Sequence, residues 1–424
     1  MAELGEQLKT PAGAQPGELE LDPNPGGWLK DVFLEQGVTH FFGVYGGHMW
    51  AFIDPAIKAG IKHITVRHEE QAAYMAEAYA RTTAGLGSVK PGVCCGTVGP
   101  GSTNLVSGVH QAYWSTTPMV VVVAGHESDH DGVYTLQECY AAEIYKPFTK
   151  WTKRLIDNAT YKRYFTKALH DSQIPTRGPV LLEFEVNQML SPPHGVLMFH
   201  DPPNQFGYKP GWLKQPISPA YPNPQDVERA VKLIYEAERP CVFSHDGALW
   251  NDIGPELVEF CELAQIPAMT RRGGRGAMPE NNPLTCKAGS LIDESDLMCL
   301  IGGKLDFYDF WGIRWKIDKT LQINDDQELI HPWLPTEVGI VANAKVTLRM
   351  MIDCAKSNGY KVREDRAKWI ARIQEMEKGR VALWERRAQQ FKDDKPLHAC
   401  WISKIISDVS EEMYRGRVPA MFDS

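Results

Sequence analysis

Residues 119–124 read MVVVVA. A strand with no polar residue on either alternating face is stable only when both faces are covered. That is the situation of a strand inside a parallel sheet flanked by helices. The neighbouring segments extend the pattern. Residues 40–44 (HFFGV), 63–66 (HITV), 92–98 and 180–186 (VLLEFEV) are short apolar or β-branched runs. Residues 49–59, 70–82 and 105–113 between them have helical composition, the second rich in Ala, Glu, Met and Tyr. Residues 27–36 place Trp28, Leu29, Val32 and Phe33 along one side of a first helix. Strand–helix alternation of this kind predicts a doubly wound parallel α/β sheet.

In such sheets ligands bind beyond the carboxyl ends of the strands. Two features fall there. Glu69 stands just past the 63–66 strand, and Gly99-Pro100-Gly101, followed by Ser102-Thr103-Asn104, ends the 92–98 strand. One carboxylate and one Gly-Pro-Gly loop can therefore share a crevice. Taken alone, Glu69 has a plainer reading as a first-turn acid favoured by the helix dipole.

After residue 190 the pattern starts again. Residues 191–223 are rich in Pro and Gly, with Pro192-Pro193 and Pro202-Pro203, and read as a linker. Helices are expected over 226–236 and 255–263, and strands over 241–244, 297–301, 321–324 and 338–341. Residues 361–394 are highly charged, with Trp369, Ile370, Ile373, Met376, Val381 and Trp384 spread along them, as in a helical connector that packs by one face. Pro396-Leu397-His398 opens a last helix, and residues 419–422 read as a last strand. The expected organisation is a tail over 1–26, an α/β domain over 27–190, the linker, a second α/β domain over 224–356, the connector over 357–395, and a final segment over 396–424.

Composition narrows the function. A chain of 424 residues, 43% apolar and 23% charged, holds two or three ordinary domains. A net charge of −8 disfavours nucleic acid or an acidic membrane as the main partner. No apolar run approaches the roughly 20 residues that span a bilayer, and the N-terminus lacks a basic-then-apolar signal. The nine cysteines form no C-x-x-C pair, and Cys94-Cys95 sit side by side in a strand, which suits buried thiols in a cytoplasmic protein. No G-x-G-x-x-G follows a strand, which speaks against dinucleotide binding.

Arg67-His68-Glu69, Tyr79-Ala80-Arg81 and Gly99-Pro100-Gly101-Ser102-Thr103-Asn104 occur in this order and at matching spacing. Together they resemble the pyrimidine-binding domain of thiamine-diphosphate enzymes of the acetolactate synthase and 2-hydroxyacyl-CoA lyase type. The resemblance implies that Glu69 hydrogen-bonds N1′ of the cofactor's aminopyrimidine, and that Tyr45, Gly46, Gly99, Pro100 and Asn104 lie close to the cofactor. Tyr45 stands where that family commonly has Pro. Gln137, in Leu136-Gln137-Glu138, would reach the active site, or else is a surface residue of a helix. His48, His126 and His130 are at strand ends where they could relay protons, or are polar loop residues.

The second α/β domain resembles the family's central domain, which holds a nucleotide in lyases acting on CoA esters. Arg271, Arg272, Arg275 and Lys304 would then meet phosphates, or form a solvated basic loop. The family binds Mg²⁺ and diphosphate through Gly-Asp-Gly and a later Asn. Here His245-Asp246-Gly247 lacks the first Gly, and Asp246 reads as a plain turn. The expectation is that thiamine diphosphate is shared with a second polypeptide carrying the Mg²⁺ and diphosphate site. Residues 396–424 would then begin a domain that the other chain completes, in a hetero-oligomer with at least two copies of each chain. The implied reaction makes or breaks a C–C bond beside a carbonyl of a 2-oxo acid or 2-hydroxyacyl-CoA. The alternative is a non-catalytic or regulatory paralogue that kept the fold.

Overall fold

The structure, a computed structural model, describes residues 30–34, 36–157, 160–190 and 218–415. The N-terminal tail, Trp28 and Leu29 of the first helix, most of the linker and the 419–422 strand lie outside the described residues. The chain divides into two compact units, residues 1–217 and 218–424.

Among the described residues the first unit holds six strands: β1 (His40–Gly43), β2 (Lys62–Thr65), β3 (Gly92–Gly96), β4 (Met119–Gly125), β5 (Trp151–Leu155) and β6 (Pro179–Glu185). All pairs are parallel, in the order β2-β1-β3-β4-β6-β5. Every residue of β4 is buried, as its composition requires. Its alternating faces serve two cores. Val120 and Val122 pack with Val93, Leu182, Phe52 and Phe165, while Val121 and Val123 pack with Cys94, Leu181, Ala73 and Val109. The chain leaves β1 for β2 on one side and returns to β3 on the other, so the topological switch point lies between β1 and β3.

Two boundaries differ from the sequence expectation. The helix after β2 runs Glu69–Gly85, so Glu69 is its first residue, and His68 caps it by accepting from the Glu70 amide at 3.3 Å. β3 ends at Gly96, which leaves Thr97 and Val98 in the loop. β5 and the Tyr161–Gln173 helix were not anticipated. β5 reads WTKRL and is only partly buried at the sheet edge, so it carries no strong apolar signal.

The second unit holds β7 (Pro240–Ser244), β8 (Ala268–Thr270), β9 (Leu297–Ile301), β10 (Thr320–Asn324) and β11 (Thr336–Val341), all parallel in the order β11-β10-β9-β7-β8. Asp246 is not a plain turn. It opens the Asp246–Asn251 helix, is buried, and accepts from the Gly273 amide at 2.9 Å.

The connector is the Arg366–Gln390 helix. Its start is tied down by Arg366, a buried guanidinium that donates to the carbonyls of Ile234, Ala237, Ala264 and Gln265. Trp369 adds a bond from Nε1 to the Pro240 carbonyl at 3.0 Å. The apolar face does not stay covered along its length. Ile373 and Met376 are buried, whereas Val381 and Trp384 are exposed. His398 caps the following Ala399–Tyr414 helix, which buries no residue. Among the described residues no helix is long and apolar enough to cross a membrane.

Candidate functional site

The crevice is built where the loops after β1, β3 and β4 meet. Gly99 takes φ +62°, a conformation that suits glycine, and turns the chain into the short Pro100–Thr103 helix, capped at its end by Asn104. The Asn104 amide then donates to Glu69 Oε2 at 3.0 Å. Glu69 is 8% exposed, and among the described residues nothing donates to its Oε1. A Cβ on Gly101 would stand 3.4 Å from that oxygen and 2.6 Å from the Thr97 methyl, so backbone and carboxylate are closely packed.

Thr97 links this corner to β1, because a Cβ on Gly46 would lie 2.6 Å from the Thr97 Cβ. The Thr97 hydroxyl is buried without a hydrogen-bond partner among the described residues. Gln137 arrives from the loop after β4. It is not on a helix; it takes φ +57°, and its carbonyl would meet a Cβ on Gly99 at 2.7 Å. Glu69, Asn104, Gly99, Gly101, Gly46 and Gln137 thus belong to one constellation. Pro100 is exposed at its rim, and Tyr45, 51% exposed, has its hydroxyl bonded to Asp54 at 2.9 Å. That bond holds the Tyr45 phenol above its ordinary pKa.

His48 and His126 differ in kind. The His48 side chain is 15% exposed and its Nε2 lies 3.6 Å from Glu127 Oε1. The His126 side chain is 0% exposed, and its Nε2 faces Asp131 at 3.0 Å and the Arg154 guanidinium at 3.2 Å. His126 is therefore a buried ring at the inner end of a network that reaches the surface through Asp131. Arg154 also binds Asp131 at 3.2 Å and Glu185 at 3.0 Å, and Tyr140 donates to Asp131 and Glu138. Arg154, with His126 and Tyr140, holds the Asp131 carboxyl well below the usual carboxylate range, while burial pushes Glu183 and Glu185 up.

His126, Asp131 and Glu138 offer ligand atoms within 4.8 Å of one another. The guanidinium of Arg154 already supplies the cation there, and Mg²⁺ prefers six oxygens. This donor set does not fit that metal. Thr97, Glu127 and Arg154 escaped the sequence reading. Only Thr97 carried a signal, its place two residues before the Gly-Pro-Gly loop.

In the second unit, Arg271, Arg272 and Lys304 do converge, but among acids. Arg271 binds Asp309 at 3.1 Å, Arg272 pairs with Asp306 and lies over the Tyr308 ring, and Lys304 is pulled down by burial despite the charges of Asp246 and Asp306. Arg275 is exposed. This is neither a solvated basic loop nor an open phosphate clamp.

His245, buried at the centre, has Nδ1 3.2 Å from Asp246 and Nε2 3.2 Å from Asp309. Burial pulls its pKa down, but the two aspartates outweigh that and carry it up to about 9. An unfolded histidine titrates near ~6.5. The stabilisation is therefore fully present below that pH and is lost as pH rises through about 9. Urea unfolding should show the advantage of wild type over His245→Asn shrinking by roughly 2–3 kcal/mol between pH 6 and 10. A constant difference would mean that His245 is not charged in the folded state.

Residues 26–144 match the description "Thiamine pyrophosphate enzyme, N-terminal TPP binding domain", and residues 227–351 match "Thiamine pyrophosphate enzyme, central domain". The chain is 28% identical over 393 residues to a probable acetolactate synthase large subunit of Methanocaldococcus jannaschii, covering 89% of this chain and 62% of that protein. It is 26% identical over 400 residues to the acetolactate synthase large subunit of Cyanidium caldarium, covering 89% of this chain and 63% of that protein. The chain thus spans less than two thirds of the length of these relatives.

Proposed function

We propose that this chain, which carries the N-terminal and central domains of the thiamine pyrophosphate enzymes, is a subunit of an enzyme that makes or breaks a C–C bond next to a carbonyl. The observation that carries the reading is Glu69. Asn104 fixes one of its oxygens and the other faces the Gly-Pro-Gly corner without a donor among the described residues. A near-buried carboxyl with one open oxygen fits the ring-nitrogen edge of an aminopyrimidine, and the orphan Thr97 hydroxyl marks the same corner as built for a polar ligand.

When bound, thiamine diphosphate supplies the electron sink. The chain's own residues do the rest. Glu69 holds a proton against N1′, and Asn104 keeps the carboxyl in one rotamer. Gly46, Gly99 and Gly101 let backbone come close to the ligand. Gln137 orients the substrate, and His48 moves protons at its oxygen. Mg²⁺ and the diphosphate are held by a second polypeptide. The substrate is a small 2-oxo acid or a 2-hydroxyacyl-CoA. With Arg271 and Arg272 neutralised by Asp309 and Asp306, exposed Arg275 is the cation that a CoA phosphate would recruit.

Native purification from the source cells followed by mass spectrometry tests the reading. The expected result is thiamine diphosphate together with a second chain in equal ratio. Recovery of the chain without the cofactor, in every fraction that contains it, would favour the non-catalytic paralogue.

A further inference from the structure

Glu127 lies at the carboxyl end of β4 and reaches across β3 to the loop after β1. Its Oε1 is 3.6 Å from His48 Nε2, and its Oε2 is 3.7 Å from His130 Nδ1. These separations exceed hydrogen-bond length but lie within ion-pair range. Side-chain exposures of 15% for His48, 32% for Glu127 and 53% for His130 make the charge pairing nearly worthless for stability. Its effect on the proton of His48 is another matter, because a carboxylate beside one ring nitrogen favours the proton on that nitrogen.

Both sides of the contact are held. Met49 is fully buried, and the amides of Met49 and Trp50 donate to the Gly46 carbonyl at 3.0 and 3.2 Å, which fixes the turn carrying His48. Glu127 precedes the Ser128–His130 turn. Ser128 is bound to Asn187 through its amide at 3.2 Å and its hydroxyl at 3.3 Å, and the Asn187 side-chain amide returns a bond to the Ser128 hydroxyl at 3.0 Å. The loop is thereby anchored to the segment that follows β6. The contact bridges the two strands that flank β3, over the end of the strand that delivers Thr97 and Gly99 to the crevice.

We infer that Glu127 is a positioning residue that holds His48 as the Nε2–H tautomer and leaves Nδ1 as the nitrogen that exchanges protons with the substrate. Among the described residues Nδ1 of His48 has no hydrogen-bond partner and is not sealed from solvent. The Glu127 carboxylate stays on the Nε2 side of the ring while Nδ1 exchanges its proton. His130 shares that carboxylate from the second oxygen and limits its rotation. The inference rests on the proposed reaction at this crevice, but the tautomer is observable without turnover.

The test uses the assembled enzyme with ¹⁵N-histidine in this chain, the His48 signals being assigned by their loss in His48→Asn. Wild type should show His48 as the Nε2–H tautomer. Glu127→Gln should give a mixture, and Glu127→Asp should largely restore the single form. In turnover, Glu127→Gln should lower kcat on the order of tenfold with KM within about twofold, and should add nothing in the His48→Asn background. A His48 tautomer that is mixed in wild type, or unchanged in Glu127→Gln, overturns the positioning. A tautomer that responds as expected while His48→Asn keeps the wild-type rate overturns the use of His48 in the reaction, and with it any catalytic meaning of Glu127. Neither result bears on Glu69.

Discussion

Glu69→Gln is expected to lower turnover by at least about a thousandfold while the assembled enzyme keeps its fold. The amide matches the carboxyl in size, so the corner formed by Thr97, Gly101 and Asn104 stays packed. What is lost is chemical. An amide cannot share a proton with a ring nitrogen, and its NH₂ can turn toward the ligand where an acceptor is needed. The loss should fall on kcat and kcat/KM together, because the interaction matters most as the proton moves. Asn104→Ala should show a milder form of the same defect, since the carboxyl remains and only its rotamer is freed. Steady-state kinetics and exchange of the cofactor C2 proton measure both. A Gln variant with near wild-type exchange would show that Glu69 is only the first-turn acid of its helix.

The isolated chain should bind thiamine diphosphate very weakly even with Mg²⁺ present. More than a third of each relative's length lies outside the match, and the matched portions of this chain are the N-terminal and central domains. The proposed split places the diphosphate half of the site on another chain. Under the two-chain proposal, the Ala399–Tyr414 helix is the expected contact for that chain. Ile402, Ile405, Ile406, Val409 and Met413 recur at helical spacing and are 36–66% exposed. An apolar stripe of this kind is rarely left bare.

Calorimetry on the isolated chain should therefore show no micromolar binding, and addition of the partner should restore it. Ile402→Glu combined with Ile406→Glu should leave the circular dichroism of the chain unchanged, because both side chains are already exposed, yet abolish co-purification of the partner. Micromolar, Mg²⁺-dependent binding by the isolated chain would sink the two-chain arrangement.

The central domain poses a different question from the crevice. Arg271, Arg272 and Lys304 were legible as a basic group, and the structure does gather them. It also gathers Asp246, Asp306 and Asp309 around them and around His245. Any phosphate arriving there competes with carboxylates already in place, so the charge visible along the chain overstates the charge a ligand would meet.

Much of the fold was determined by the sequence alone. A strand such as β4 is recognisable because burial on both faces demands apolar residues at consecutive positions, a property local to the chain. The Gly-Pro-Gly turn was legible for a similar reason, since it is set by neighbouring residues, whereas Glu69 stood out only through the resemblance of its motif, and its helix starts one residue earlier than expected. β5 was not legible, because an edge strand is half exposed and its WTKRL sequence has no clear period. The tertiary structure decided what the loops do to one another. Gln137 meets Gly99, Thr97 is enclosed by Gly46 and Gly101, and Glu127 reaches His48 only because the strand order places β3 between β1 and β4. It also decided that His126 is buried against Arg154 while His48 remains open. Periodicity reports which way a side chain faces along its own strand, whereas convergence depends on how distant strands are ordered, and that is set by the packing of the whole sheet.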